Sequence, residues 1–200
     1  GHVRASTSFG RQLAKLASQP DVKHVLEIGK RLRVFNWPGT WYGGGSSLRL
    51  ATALAAQKCC KDYLITLELY PPAHRHASLF LQNLPVWYLC MQGSSVDATQ
   101  MLKPDEIEDK GKHFQRYYQR DLDLLNSSKP LLQDLVKRFS FDLILIDGNE
   151  YTGWGEFVTI TAHQPPKFLA IHDVFTLKTA RIQKHIAAGT MYSVLAEGYD

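Results

Sequence analysis

The stretch His24-Val25-Leu26-Glu27-Ile28-Gly29 decides how this 200-residue chain folds. An apolar run ends there in an acid and a glycine. After residues 30–39 the chain continues Thr40-Trp41-Tyr42-Gly43-Gly44-Gly45-Ser46-Ser47 and opens into the Ala- and Leu-rich segment 48–57. The order is strand, glycine turn, helix. Glycines let backbone approach a ligand closely, and a helix N-terminus presents unsatisfied N–H groups to it. With residues 30–39 lifted out, the remainder reads Glu27-Ile28-Gly29-Thr40-Trp41-Tyr42-Gly43-Gly44-Gly45, an unbroken E-x-G-x-x-x-G-x-G. The insertion is read either as a lid or hairpin over the ligand or as a surface loop, with Gly29 or Gly39 in the first glycine's role.

Outward from this unit, strands and helices alternate. Helical spacing predicts a helix over 11–18, and Ser46 or Ser47 is expected to cap one over 48–57. Apolar runs predict strands at 23–28, 63–69, 86–91, 141–147, 167–172 and 191–196. Further helices are expected over 73–83 (after Pro71-Pro72), 112–125, 131–139, 156–163 and 177–188. Strands separated by helices imply an α/β fold with a parallel, doubly wound, Rossmann-like sheet flanked by helices. The ending after the sixth strand suggests that a last strand is lacking. One domain over 1–200 is expected, with insertions near 30–39 and in the charged segment 98–130.

Composition narrows the function classes. No apolar run approaches the roughly 20 residues of a membrane span. The odd, unspaced set Cys59, Cys60 and Cys90 argues for reduced thiols and a cytoplasmic setting. A formal charge of +4 permits an acidic partner without demanding nucleic acid, which is not the expected partner.

The strand ends carry the chemistry. Glu68 closes the second predicted strand, where a carboxylate can accept hydrogen bonds from both ribose hydroxyls of a nucleoside-bearing cofactor. A dinucleotide fingerprint would need a third glycine after Gly43 and Gly45, where the chain has Ser46, Ser47 and Leu48; this counts against a nicotinamide-dependent oxidoreductase. Asp147 and His172-Asp173 fall at the ends of neighbouring strands, which line the ligand crevice of an open α/β sheet. Lys178, Arg181 and Lys184 share one helical face and read as a solvated basic surface. Tyr151 and Trp154 fit a pocket wall, the core or the rim equally well.

The pattern through Glu27, Gly29, Gly43 and Gly45 resembles the first motif of class I S-adenosylmethionine (SAM)-dependent methyltransferases. The resemblance continues through Glu68, through Gly93-Ser94-Ser95-Val96-Asp97, and through residues 141–151 and 169–174 in the small-molecule O-methyltransferase branch. It implies that Glu27, Gly29, Gly39, Gly43, Gly45, Ser46, Glu68 and Asp147 bind the cofactor, with Ser94 and Ser95 flanking its adenine. It also implies that Asp147, His172 and Asp173 are catalytic, and that they hold a divalent cation, Mg or Mn. His172 stands where that branch usually has an acid. An imidazole suits manganese, iron or zinc better than magnesium, so His172 is read either as third ligand or as general base. The expected reaction is methylation of an oxygen on a small hydroxylated acceptor such as a sugar or polyketide. A methyltransferase-like binding module that has lost catalysis through the interrupted loop is the rival. Segment 98–130 is the expected place for acceptor recognition or for subunit contact in a homodimer.

Overall fold

The computed structural model describes residues 9–29, 46–57, 61–82, 86–107, 110–112, 114–173, 176–189 and 191–195. The insertion 30–39 and the glycines Gly39, Gly43 and Gly45 lie outside the described residues, as do Cys59 and Cys60.

Five strands form one all-parallel sheet: β1 (His24–Ile28), β2 (Tyr63–Glu68), β3 (Trp87–Gln92), β4 (Leu143–Ile146) and β5 (Phe168–Ile171), in the order β3-β2-β1-β4-β5. The helices are α1 (Phe9–Ala17), α2 (Ser46–Gln57), α3 (Pro71–Leu81), α4 (Phe114–Asn126), α5 (Leu132–Arg138), α6 (Gly153–His163) and α7 (Leu177–Ala187). Side chains alternate across the pleat, so each strand serves two cores. Leu26, Ile28, Ile65, Leu67, Ile144 and Ile146 face one layer, with Leu132, Leu135, Val136, Phe157, Ile160 and Ile182 from α5, α6 and α7. Val25, Leu64, Leu143 and Leu145 face the other, with Leu13, Leu50, Leu54 and Leu81 from α1, α2 and α3. A sheet buried on both faces explains why its central strands read as continuous apolar runs.

Helices α1, α3 and α6 start earlier than the sequence suggests, and the last two show why. Pro71 and Pro72 occupy the first turn of α3, where a missing N–H costs nothing, and His74 N–H donates to Tyr70 C=O at 3.0 Å. Helix α6 begins at Gly153, three residues before the expected 156. Glycine is required there by packing: a Cβ at 153 would lie 2.2 Å from the Lys178 carbonyl oxygen, and one at 155 would lie 2.9 Å from Gln100. The expected sixth strand does not form over the described residues 191–195. Beyond Gly189 (φ 76°), Met191, Val194 and Leu195 are exposed, so their apolar run has no sheet face to bury. No helix among the described residues is long and apolar enough to cross a membrane.

The chain winds outward from β1 to β3 on one side and through β4 to β5 on the other, so the order reverses between β1 and β4. Ligands of open α/β sheets bind at the carboxyl ends of strands flanking such a switch point. Gly29 follows β1 there with φ 75°, and a Cβ on it would stand 2.5 Å from both the Asp147 carbonyl oxygen and Gly148 Cα. Only glycine accepts that conformation in that space.

Candidate active site

A cavity of about 630 Å³ opens at this switch point. Its wall runs from Glu68, Leu69 and Tyr70 after β2, past Gly29 and Ser95, to Asp147, Gly148, Asn149 and Glu150 after β4, and on to Asp173 and Lys178. Helix α4 closes one side with Tyr117, Arg120, Asp121, Leu124 and Leu125. The charged segment that sequence places on the rim therefore supplies part of the wall. It is held in place by a small core of Met101, Leu102, Ile107, Leu125 and Tyr151. Tyr151 belongs to both core and wall, packing edge-on against Tyr118 at 5.1 Å and Phe114 at 5.9 Å. Trp154 instead stacks on Phe157 at 5.6 Å and packs against the main core.

At one end, Glu68 is buried and its Oε1 accepts from Tyr70 N–H at 2.8 Å. Gly93 N–H donates to the Glu68 carbonyl at 3.1 Å, which joins the ends of β2 and β3. Ser94 is fully buried and its backbone bonds to Lys129 and Leu131, so Ser95 is the one of the pair that reaches the cavity wall. Glu27 is fully buried, and the hydroxyls of Ser46 and Ser47 both donate to its carboxylate. The pair Glu27 and Ser46 thus ties β1 to the start of α2. Neither residue is among the described residues of the cavity wall.

At the other end, Asp147, His172 and Asp173 converge, with one ligating atom from each lying within 4.8 Å of the others. His172 Nδ1 stands 3.0 Å from Asp147 Oδ1 and 3.3 Å from Asp173 Oδ1. Asp173 adopts φ 57°, an uncommon conformation for a non-glycine residue and a frequent companion of functional sites. His172 packs against Phe9, ring centroids 4.7 Å apart, and is not among the described residues of the wall.

Two residues complete the site: Lys178, which the sequence reading placed on the surface, and Glu156, which it did not single out. Lys178 is not on a solvated face: it is 3% exposed, and its Nζ lies 3.2 Å from Asp147 Oδ1 and 3.3 Å from Asp173 Oδ2. Arg181, one turn on, pairs with Glu106 at 2.8 Å. Glu156 is fully buried beneath Gly148 and accepts from Ser95 Oγ at 2.5 Å and Thr152 Oγ1 at 2.8 Å. Burial raises its pKa, partly offset by those hydrogen bonds and by Lys178. Asp121 in the α4 wall is also raised, again chiefly by burial, with Arg120 acting against it. The signal for Glu156 lay in Gly148, where a Cβ would stand 2.7 Å from Glu156 Oε1, so that its absence leaves room for the inward carboxyl.

No family model matches the chain, and no curated protein matches its sequence. Solved structures do. The O-methyltransferase TomG from Streptomyces achromogenes, involved in tomaymycin synthesis and solved with SAM, is 18% identical with a TM-score of 0.52. That match covers 90% of this chain and 68% of TomG. An O-methyltransferase from Bacillus cereus, solved with S-adenosylhomocysteine (SAH), is 17% identical with a TM-score of 0.53, covering 95% of this chain and 73% of that one. The chain has the Rossmann-like fold of class I O-methyltransferases.

Proposed function

We propose that this chain is a SAM-dependent methyltransferase that methylates a hydroxyl oxygen of a small molecule such as a sugar or polyketide. One observation carries the proposal: a single cavity at the sheet's switch point joins a ribose-type carboxylate, Glu68, to the paired carboxylates Asp147 and Asp173. Its volume is that of an ordinary small-molecule site. The two solved relatives hold SAM and SAH, as their structures record.

In this proposal Glu68 accepts the ribose hydroxyls, Gly29 admits the cofactor to the sheet edge, and Ser95 lies beside the adenine. The loop carrying Gly39, Gly43 and Gly45 supplies the remaining cofactor contacts. The acceptor lies between α4 and Asp147. Its oxygen attacks the sulfonium methyl in line; the carbon–sulfur bond breaks with its electrons passing to sulfur, which leaves SAH. The hydroxyl becomes strongly acidic as the new bond forms, and Asp147 takes its proton. His172 positions Asp147 through the 3.0 Å contact rather than touching the acceptor. A reducing, cytoplasmic setting agrees with the free thiol of Cys90.

A divalent cation at Asp147, His172 and Asp173 is part of the same expectation, and the donor set can be tested on its own chemistry. A carboxylate only accepts hydrogen bonds, so a hydrogen bond from His172 Nδ1 to Asp147 leaves that nitrogen protonated and Nε2 as the ring's one lone pair. The ammonium of Lys178 already pairs with both carboxylates and offsets one of their two negative charges. The buried ammonium beside both carboxylates disfavours a metal centre here, and no step of the reaction is routed through one.

Calorimetric titration with SAM and SAH tests the proposal. Binding of both is expected, and failure to bind either at about millimolar concentration, −4 kcal/mol of affinity, sinks it.

A further inference from the structure

The ion pairs of Lys178 have a use beyond holding two carboxylates together. We infer that Lys178 is the resident cation of this site, its ammonium standing where a divalent ion would otherwise bridge Asp147 and Asp173, so that the chain works without metal. The inference rests on the methyltransferase proposal for what the cation acts on, but not for whether the cation is there.

Three observations support it. The ammonium lies almost equally far from one oxygen of each carboxylate, 3.2 Å from Asp147 and 3.3 Å from Asp173, as a bridging cation does. Lys178 is 3% exposed, so its charge is largely withdrawn from bulk water and salt, and a side chain in that state needs paired anions. Its backbone is also clamped, because α6 crosses the first turn of α7 with a glycine at 153, where any Cβ would collide with the Lys178 carbonyl.

A dication placed on Asp147 at a usual oxygen distance of about 2.1 Å would share that oxygen with Nζ. The two positive centres would then stand within about 5 Å of each other in a largely buried site, inside any physiological screening length. Metal and ammonium therefore exclude one another. An ammonium has three N–H donors, and among the described residues two are taken by the carboxylates. Since Lys178 also lines the cavity, the third is available to the acceptor oxygen. Donated there, it stabilises the negative charge that grows on the oxygen as Asp147 removes its proton.

The test is a Mn2+ titration of the full chain, followed by electron paramagnetic resonance and by thermal unfolding, in wild type and in Lys178→Met. For wild type, Mn2+ binding weaker than about 1 mM and no rise in Tm with Mn2+ are expected. For K178M, Mn2+ affinity at least about tenfold tighter than wild type is expected, and Mn2+ should raise its Tm, because the ion then fills the position the ammonium left. Wild-type binding tighter than about 1 mM overturns the inference, as does a folded K178M that gains no affinity. If K178M does not fold, the wild-type titration decides alone. SAM binding is measured separately: a chain that binds neither SAM nor Mn2+ loses the proposed activity and keeps this inference.

Discussion

The two ends of the cavity are built by different means. At the Glu68 end the contacts are made by main-chain N–H groups: Glu68 Oε1 meets Tyr70 N–H, and the Glu68 carbonyl meets Gly93 N–H. At the Asp147 end they are charged and run from side chain to side chain: Asp147 meets His172 at 3.0 Å and Lys178 at 3.2 Å. The first end is a shape that a parallel strand makes wherever it stops beside its neighbour. The second exists only once α6 and α7 have docked. Damage at the first end should therefore appear as lost cofactor affinity, and damage at the second as lost stability and chemistry.

The largest expected effect separates them most sharply. Lys178→Met leaves buried Asp147 and partly buried Asp173 without their cation; breaking a buried pair in this way costs about 3–5 kcal/mol, toward the lower figure here because Asp173 reaches solvent. Denaturant unfolding of K178M beside Glu68→Gln checks it. Comparable losses in the two variants would break the contrast. Next is Gly29→Ala, which tests the hinge between the ends. The left-handed φ of 75° and the 2.5 Å approach to the Asp147 carbonyl should together cost about 2–3 kcal/mol, since the backbone must shift as well as strain. Unchanged stability would mean that β1 and β4 are not held together at this point.

Glu68→Ala is expected to weaken SAM binding about 10- to 100-fold, the worth of hydrogen bonds from neutral donors to a charged acceptor. Asp147→Asn should change SAM affinity by less than about threefold while lowering methyl transfer by about 10²-fold or more. Calorimetry and a radiolabelled methyl-transfer assay read the two quantities separately. If Asp147→Asn costs as much cofactor affinity as Glu68→Ala, the division of labour along the cavity is wrong.

This asymmetry also explains what the sequence disclosed. Apolar runs buried on both faces, each ending in an acid or glycine, give away β1, β2 and β4 because backbone pairing is a local property repeated along the strand. Glu68 and Asp147 were legible for the same reason: strand ends in a parallel sheet all point to one edge. Lys178 was not legible. Its spacing with Arg181 and Lys184 is that of a surface stripe, and what buries it is the crossing of α6 over α7, which depends on the absence of a side chain at Gly153. Glu156 was hidden by the same helix, whose early start rests on two glycines that propensity alone counts against helix.

Glu156 gives the smallest and most diagnostic prediction. Burial holds its folded-state pKa above the unfolded value, so the native protein keeps a proton that the unfolded chain releases. Over that window the native state binds more protons, and wild-type stability must fall as pH rises from the unfolded carboxylate range through the folded pKa. Glu156→Gln has no proton to lose. Its amide oxygen still accepts from Ser95 and Thr152, so the hydrogen bonds at 2.5 and 2.8 Å survive in kind. The variant should therefore match wild type at acid pH and become progressively the more stable of the two toward neutrality, as read by Tm against pH. The opposite slope, with E156Q losing ground as pH rises, would mean that Glu156 is held ionised in the fold. The Asp147 end would then contain a third fixed negative charge, and Lys178 would be balancing three carboxylates rather than two.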